Sequence, residues 1–112
     1  MSEERDRRYL ADIRDSIALI EIRTRSGREA FLANLDEQDA VLWRLYTLAD
    51  AATHLSDALK DRHSEIPWRR VAGFRNIAAH GYLGLVIEAA WEIVEVDLPT
   101  LKAVAEEELA GL

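Results

Sequence analysis

Three side chains able to move a proton, grip a phosphate or carry a covalent group fall within the eight residues RNIAAHGY, positions 75–82. His80 is one of only three histidines in the chain. An imidazole titrates near neutral pH and serves as general base or general acid. Arg75, five positions earlier, carries a planar, permanently charged fork that matches phosphate oxygens. Asn76 can orient either the imidazole or the phosphate, and Tyr82 offers a phenol just beyond. The set suits metal-independent cleavage of RNA. In that reaction the ribose 2′-hydroxyl attacks the neighbouring phosphate, a histidine moves the proton, and an arginine stabilises charge on the phosphoryl oxygens. The same residue types also serve as helix-end caps and surface groups, and R-x4-H alone does not decide between these readings.

Positioning such a set requires helices. Periodicity near 3.6 dominates, and two prolines and five glycines are the only strong interruptions. A first helix is expected from about Glu3 to Thr24, with Tyr9, Leu10, Ile13, Ile17 and Ile20 on one face. Ser26 and Glu29 stand in capping-box spacing and predict a short second helix ending near Asn34. Val41, Leu45, Leu48, Ala52, Leu55 and Leu59 alternate steps of four and three, a heptad seam for a long third helix with Asp36 as its cap. Pro67 opens a fourth helix, WRRVAGFRNIAAH, which Gly81 ends in the left-handed position common after a helix. His80 then falls in the last turn, where the helix dipole favours its protonated form. A fifth helix begins near Leu85 and turns Ala90, Trp91 and Val94 inward. Pro99 marks a kink or a fresh start, with Asp97 as a possible cap, and a final helix runs to about Leu109. The fold class is all-α: one domain over 1–112, a bundle of about five to six helices.

The direction of the side chains bears on the chemistry. Arg75 and His80 are five apart, so on one ideal helix they point roughly 140° away from each other. They converge if the helix loosens at its end, or across a two-fold axis with a second copy. The spacing therefore suggests a homodimer.

Composition narrows the function further. The formal net charge is −7, which argues against a general nucleic-acid binder. The bases are gathered, however: Arg62, His63, Arg69, Arg70, Arg75 and His80 fall in one central stretch, and Lys102 is the one base after Tyr82. That stretch can face an anion although the molecule as a whole repels one. The chain has no cysteine, so disulfides and thiolate metal sites are excluded and a reducing cytoplasm fits. The charged start MSEERDRRYL is not a signal peptide, and no apolar run reaches the roughly 20 residues of a membrane helix. His54 and His63 lack metal-ligand spacing. Trp43, Trp68 and Trp91 read as core or interface anchors rather than base-stacking rings. The EEE run at 106–108 reads as a solvated face.

R-N-x3-H-x-Y resembles the R-x4-6-H-x-Y signature of HepT-like toxins, a branch of the HEPN superfamily. The segments DRRYLADIRDSIALIEIRT, QDAVLWRLYTLADAATHLS, HSEIPWRRVAGFRNIAAHGYLGL and LVIEAAWEIVEVDLPTLKAVAEEEL resemble that family's helices in the same order. The resemblance implies an all-α homodimer acting as an endoribonuclease toxin of a type VII-like toxin–antitoxin pair. It implies Arg75 and His80 as the catalytic pair, Asn76 as the polar residue beside them, and RNA rather than DNA as substrate. It implies no cofactor and no membrane partner. Tyr82 matches the tyrosine to which a minimal nucleotidyltransferase antitoxin transfers AMP, adding bulk and negative charge beside the cleft. Asp50, in Ala49-Asp50-Ala51, stands where relatives often carry Gly-Glu-Ala, and it is a candidate for support together with Arg69 and Arg70. Gly81 stands where relatives often carry an acid. The rival reading is a non-catalytic helical dimer that binds a nucleotidyltransferase or a nucleotide.

Overall fold

A computed structural model of the chain describes residues 2–79 and 84–111, side chains at 2, 84 and 85 excepted. Every regular element among them is helical: α1 (Ser2–Arg23), α2 (Arg28–Ala33), α3 (Leu35–Thr53), α4 (Asp57–Arg62), α5 (Trp68–Ala79), α6 (Gly84–Glu92) and α7 (Leu98–Gly111). A π-helical stretch, Ile93–Asp97, joins α6 to α7 without a break. Counting α6 to α7 as one rod gives six helical rods, in the expected all-α class. α3 is the central rod, packed against α1 on one side and α5 on the other, and α1 also packs against α7.

The apolar stripes account for this arrangement. Leu10, Ile13, Ile17 and Ile20 of α1 and Val41, Leu45 and Leu48 of α3 are at most 1% exposed. Phe31, Phe74, Ile93 and Leu101 complete one continuous core. Each such side chain contributes roughly 1.5–3 kcal/mol on burial, enough to override weak local propensities.

Several element ends differ from those expected. Gly27, not Ser26, precedes α2, with φ at 93°, a left-handed value that a side-chain-bearing residue rarely adopts, and no side chain caps the helix there. Asn34, not Asp36, caps α3: its side-chain oxygen accepts from the Glu37 N–H at 3.1 Å. Gln38 Nε2 donates to the carbonyls of Phe31 and Leu32, satisfying the end of α2 and locking the α2–α3 corner.

The long heptad seam is also broken. α3 stops at Thr53 and Ser56 starts α4, accepting from the Leu59 N–H at 3.2 Å. Asp6 of α1 enforces this start. Its carboxylate accepts from the Ser56 N–H at 2.8 Å and from the Ser56 hydroxyl at 2.6 Å. Leu55 and Leu59 remain buried because the bend returns both to the core. Pro99 stands second in α7, which starts afresh at Leu98 after the π stretch. The π stretch just before it widens the turn, with the Leu98 N–H reaching back to the Ile93 carbonyl, and the missing Pro99 N–H falls at this irregular register. Asp97 is not a cap; it receives Arg70.

Candidate active site on the face of α3 and α5

Val71 and Phe74 anchor α5 in the core, and this fixes where the next residues point. Arg75 and Asn76 emerge on the exposed side of the helix. The Arg75 guanidinium reaches across to α3, where Nη1 lies 3.9 Å from Asp50 Oδ1 and the guanidinium carbon 5.7 Å from the centre of the Tyr46 ring. At 3.9 Å the charge pair is an ion pair and not a hydrogen bond. The Arg75 and Asp50 side chains are 43% and 50% exposed, so the pair adds little stability. It does aim the fork, with the Tyr46 ring supporting one side by a cation–π contact.

Of the residues expected to form the site, the structure thus brings Arg75 and Asp50 together. His80 and Tyr82, and the expected helix end at Gly81, lie outside the described residues. Arg70 is engaged elsewhere: Nε and Nη2 bind both Asp97 carboxylate oxygens, at 3.0 and 2.9 Å, tying α5 to the π stretch. The Asp97 carboxylate raises the Arg70 pKa by hydrogen bonding. Arg69 is exposed at the start of α5.

Beside Arg75 the surface is apolar. A hollow of about 500 Å³ lies between α3 and the end of α5, bounded by Leu35, Leu42, Trp43, Tyr46 and Ala78. Leu35 and Trp43 are 68% and 62% exposed, and the Trp43 and Tyr46 rings lie nearly parallel, 6.1 Å apart. The other two tryptophans do pack inward. Trp68 Nε1 donates to the Lys60 and His63 carbonyls, and Trp91 lies against Phe31.

Two groups escaped sequence reasoning. His54 stands one turn after Asp50, its Nε2 3.9 Å from Asp50 Oδ2, and its ring stacks on Tyr9 of α1 at 4.8 Å. The residue types alone gave no sign of it, because the stack joins positions 45 residues apart in the chain. Glu108 of the EEE run, which lines a hollow with Asp6, Ser56 and Arg62, is not a merely solvated acid. It receives Arg62 through both oxygens, and its Oε2 meets Nε2 of buried His63. The hydrogen bond from Arg62, and then that with His63, holds the Glu108 pKa below the usual carboxylate range. Among the described residues, no three His, Asp or Glu side chains converge as a metal site.

Comparison with known proteins agrees with the helical reading. The family model described as Ribonuclease HepT-like matches residues 13–108. A protein of Thermococcus cleftensis named "Probable ribonuclease HepT" is 38% identical over 95 residues, 84% of this chain and 86% of that protein. A Methanocaldococcus jannaschii protein provisionally named an RNase is 28% identical over 107 residues, 95% of this chain and 98% of its own. A second protein of that organism, whose name joins a gamma-glutamylcyclotransferase to a provisional RNase, is 35% identical over 95 residues, 84% of this chain but 43% of its own length. No solved structure matches significantly.

Proposed function

The chain belongs to the HepT-like ribonuclease family, and we propose that it is a metal-independent endoribonuclease whose catalytic groups are Arg75 and His80. The observation that carries this reading is the aim of Arg75. Asp50 and Tyr46 hold its guanidinium at an open face, without a hydrogen bond from the fork to any other described residue. Such a fork can close on two phosphoryl oxygens as negative charge accumulates there.

In this mechanism His80 removes the proton from a ribose 2′-hydroxyl, whose oxygen forms a bond to phosphorus. The bond to the 5′-oxygen breaks, and that oxygen takes a proton from an imidazolium. The products are a 2′,3′-cyclic phosphate and a 5′-hydroxyl, and no water is consumed. Asn76 orients the phosphate or the imidazole. The second proton carrier is His80 of a second copy, which is why the reading includes a homodimer. The apolar surface of Leu35, Trp43 and Tyr46 beside Arg75 supports this, since such patches are seldom left uncovered on a monomer.

The reading extends to a toxin of a type VII-like pair, with a minimal nucleotidyltransferase as antitoxin and Tyr82 as the AMP acceptor. An adenylyl group there would crowd the cleft and repel a phosphate chain. Incubation with ATP and the cognate nucleotidyltransferase should add one AMP to the parent protein and none to Tyr82→Phe, as read by intact mass.

The deciding experiment for catalysis compares purified, unmodified protein with His80→Ala on labelled RNA in the presence of a chelator. The parent should release fragments ending in 2′,3′-cyclic phosphate, and the variant should not. Intact RNA with a folded parent protein would end the enzymatic reading.

A further inference from the structure

We infer that the Tyr9–His54 stack and the arginines of the first turns of α1 form a second RNA subsite, which receives the base and phosphate next to the scissile step. The inference rests on the RNase reading above and extends its substrate site along one direction of the strand.

The geometry begins at Asp50. One carboxylate oxygen faces Arg75 and the other faces His54. The next ring, Tyr9, lies 4.8 Å from the His54 ring with only 19° between the planes. Tyr9 is itself packed against the core, so it forms a fixed floor. The His54 side chain above it is 48% exposed, which leaves ring surface open to solvent. A flat heteroaromatic group can continue such a stack, and every nucleobase presents a face that fits, whatever its sequence.

Charge continues the path. The Arg8 guanidinium lies 5.4 Å from the centre of the Tyr9 ring, and Arg5 precedes Tyr9 by one helical turn. Arg5, Arg7 and Arg8 are all exposed, and none has an acid within ion-pair distance among the described residues. They share the lack of a paired acid with Arg25, Arg44, Lys60 and Arg69, and what distinguishes Arg8 and Arg5 is their place beside the Tyr9 ring and one turn before it. Arg8 and Arg5 thus put positive charge on the side of α1 that carries the stack, where an RNA phosphate beside a stacked base would meet it. Glu3, Glu4 and Asp6 share this end of α1, so the strand's contact with the helix is confined to Arg8 and Arg5.

The order of groups then reads as a strand would. The scissile phosphate meets Arg75, the adjoining base stacks on His54, and the following phosphate meets Arg8 or Arg5. Asp50 lies between the two side chains Arg75 and His54, 3.9 Å from each.

The test measures binding of a labelled, single-stranded ten-nucleotide RNA to full-length protein carrying His80→Ala, so that binding is read without cleavage. Adding His54→Ala should weaken affinity about 5- to 100-fold, the loss of one stacked base. His54→Phe, which keeps a flat ring, should stay within about threefold. Arg8→Gln should weaken binding and flatten the dependence of log affinity on log salt by about 0.7. Unchanged affinity in folded His54→Ala, or no binding of the RNA to His80→Ala at all, overturns the subsite. Should His54→Ala fail to fold, Arg8→Gln at its exposed position carries the test, and an unchanged salt slope overturns the proposal. The two readings fail separately. A parent protein that binds RNA through His54 but never cuts it removes the RNase mechanism and leaves the subsite. Cleavage with His54-independent binding does the reverse.

Discussion

Arg75 on α5 and Asp50 on α3 face each other across the helix pair at 3.9 Å, both about half exposed. A pair of that kind does little for folding but defines a direction for the guanidinium. Asp50→Ala should therefore leave the melting temperature nearly unchanged and lower the RNA cleavage rate roughly tenfold through misplacement of Arg75. Asp50→Glu should recover most of the rate. Equal rates for Asp50→Ala and the parent would show that Arg75 needs no such guide.

The apolar hollow beside that pair gives a prediction about assembly. Trp43→Glu puts a charge into a surface that a second copy would cover. The parent should scatter light as a dimer of the 12.7 kDa chain, and the variant as a monomer with unchanged helix content. Loss of RNA cleavage should accompany loss of the dimer, since the mechanism draws its second histidine from the partner. A monomeric parent would contradict the assembly directly.

Glu108 predicts an acid-sensitive clamp between α4 and α7. Its folded pKa is depressed, so its contribution is present above the ordinary glutamate value and is lost as pH falls through the lowered one. Glu108→Gln should cost about 1–3 kcal/mol at neutral pH, because buried His63 loses its charged acceptor. The gap in melting temperature between parent and variant should then narrow from about pH 4.3 downward. A gap that stays constant to pH 3 would mean that the carboxylate charge is not what matters.

Ser56 joins two duties in one side chain, capping α4 and satisfying Asp6. Ser56→Ala removes both and leaves a buried carboxylate with the Ser56 N–H as its one hydrogen-bonding partner among the described residues. The expected loss is about 1–3 kcal/mol in denaturant unfolding, at the upper end of ordinary cap losses. Ser56→Thr should restore much of it. A neutral Ser56→Ala would show that water serves Asp6 equally well.

The stripes of α1, α3 and α5 were legible because burial follows period 3.6 closely: Ile13, Leu45 and Phe74 all face inward. Their ends were less so. Asn34, Ser56 and the stretch at Ile93–Asp97 depend on partners distant in sequence or on a register change that leaves no local signature. The same distinction divides the site. Arg75 and Asp50 were singled out from sequence, whereas His54 draws its meaning from Tyr9, on another helix. Glu108 looked like one acid among three until α7 set it against Arg62 and His63.

The wide turn at Ile93–Asp97 has a consequence for how the chain tolerates change. One residue more than an ordinary turn is held there, so the side chains before and after it are out of phase by about 100° relative to a straight rod. Ala90 and Ile93 reach the middle of the molecule under one phase, and Leu101, Val104 and Glu108 meet their neighbours under another. Deleting one residue there would close the wide turn to an ordinary one with α7 still facing its neighbours, whereas closing it with every residue kept would rotate α7 by about 100° and turn Leu101, Val104 and Glu108 off their partners, so this short segment sets the angular alignment of everything that follows it.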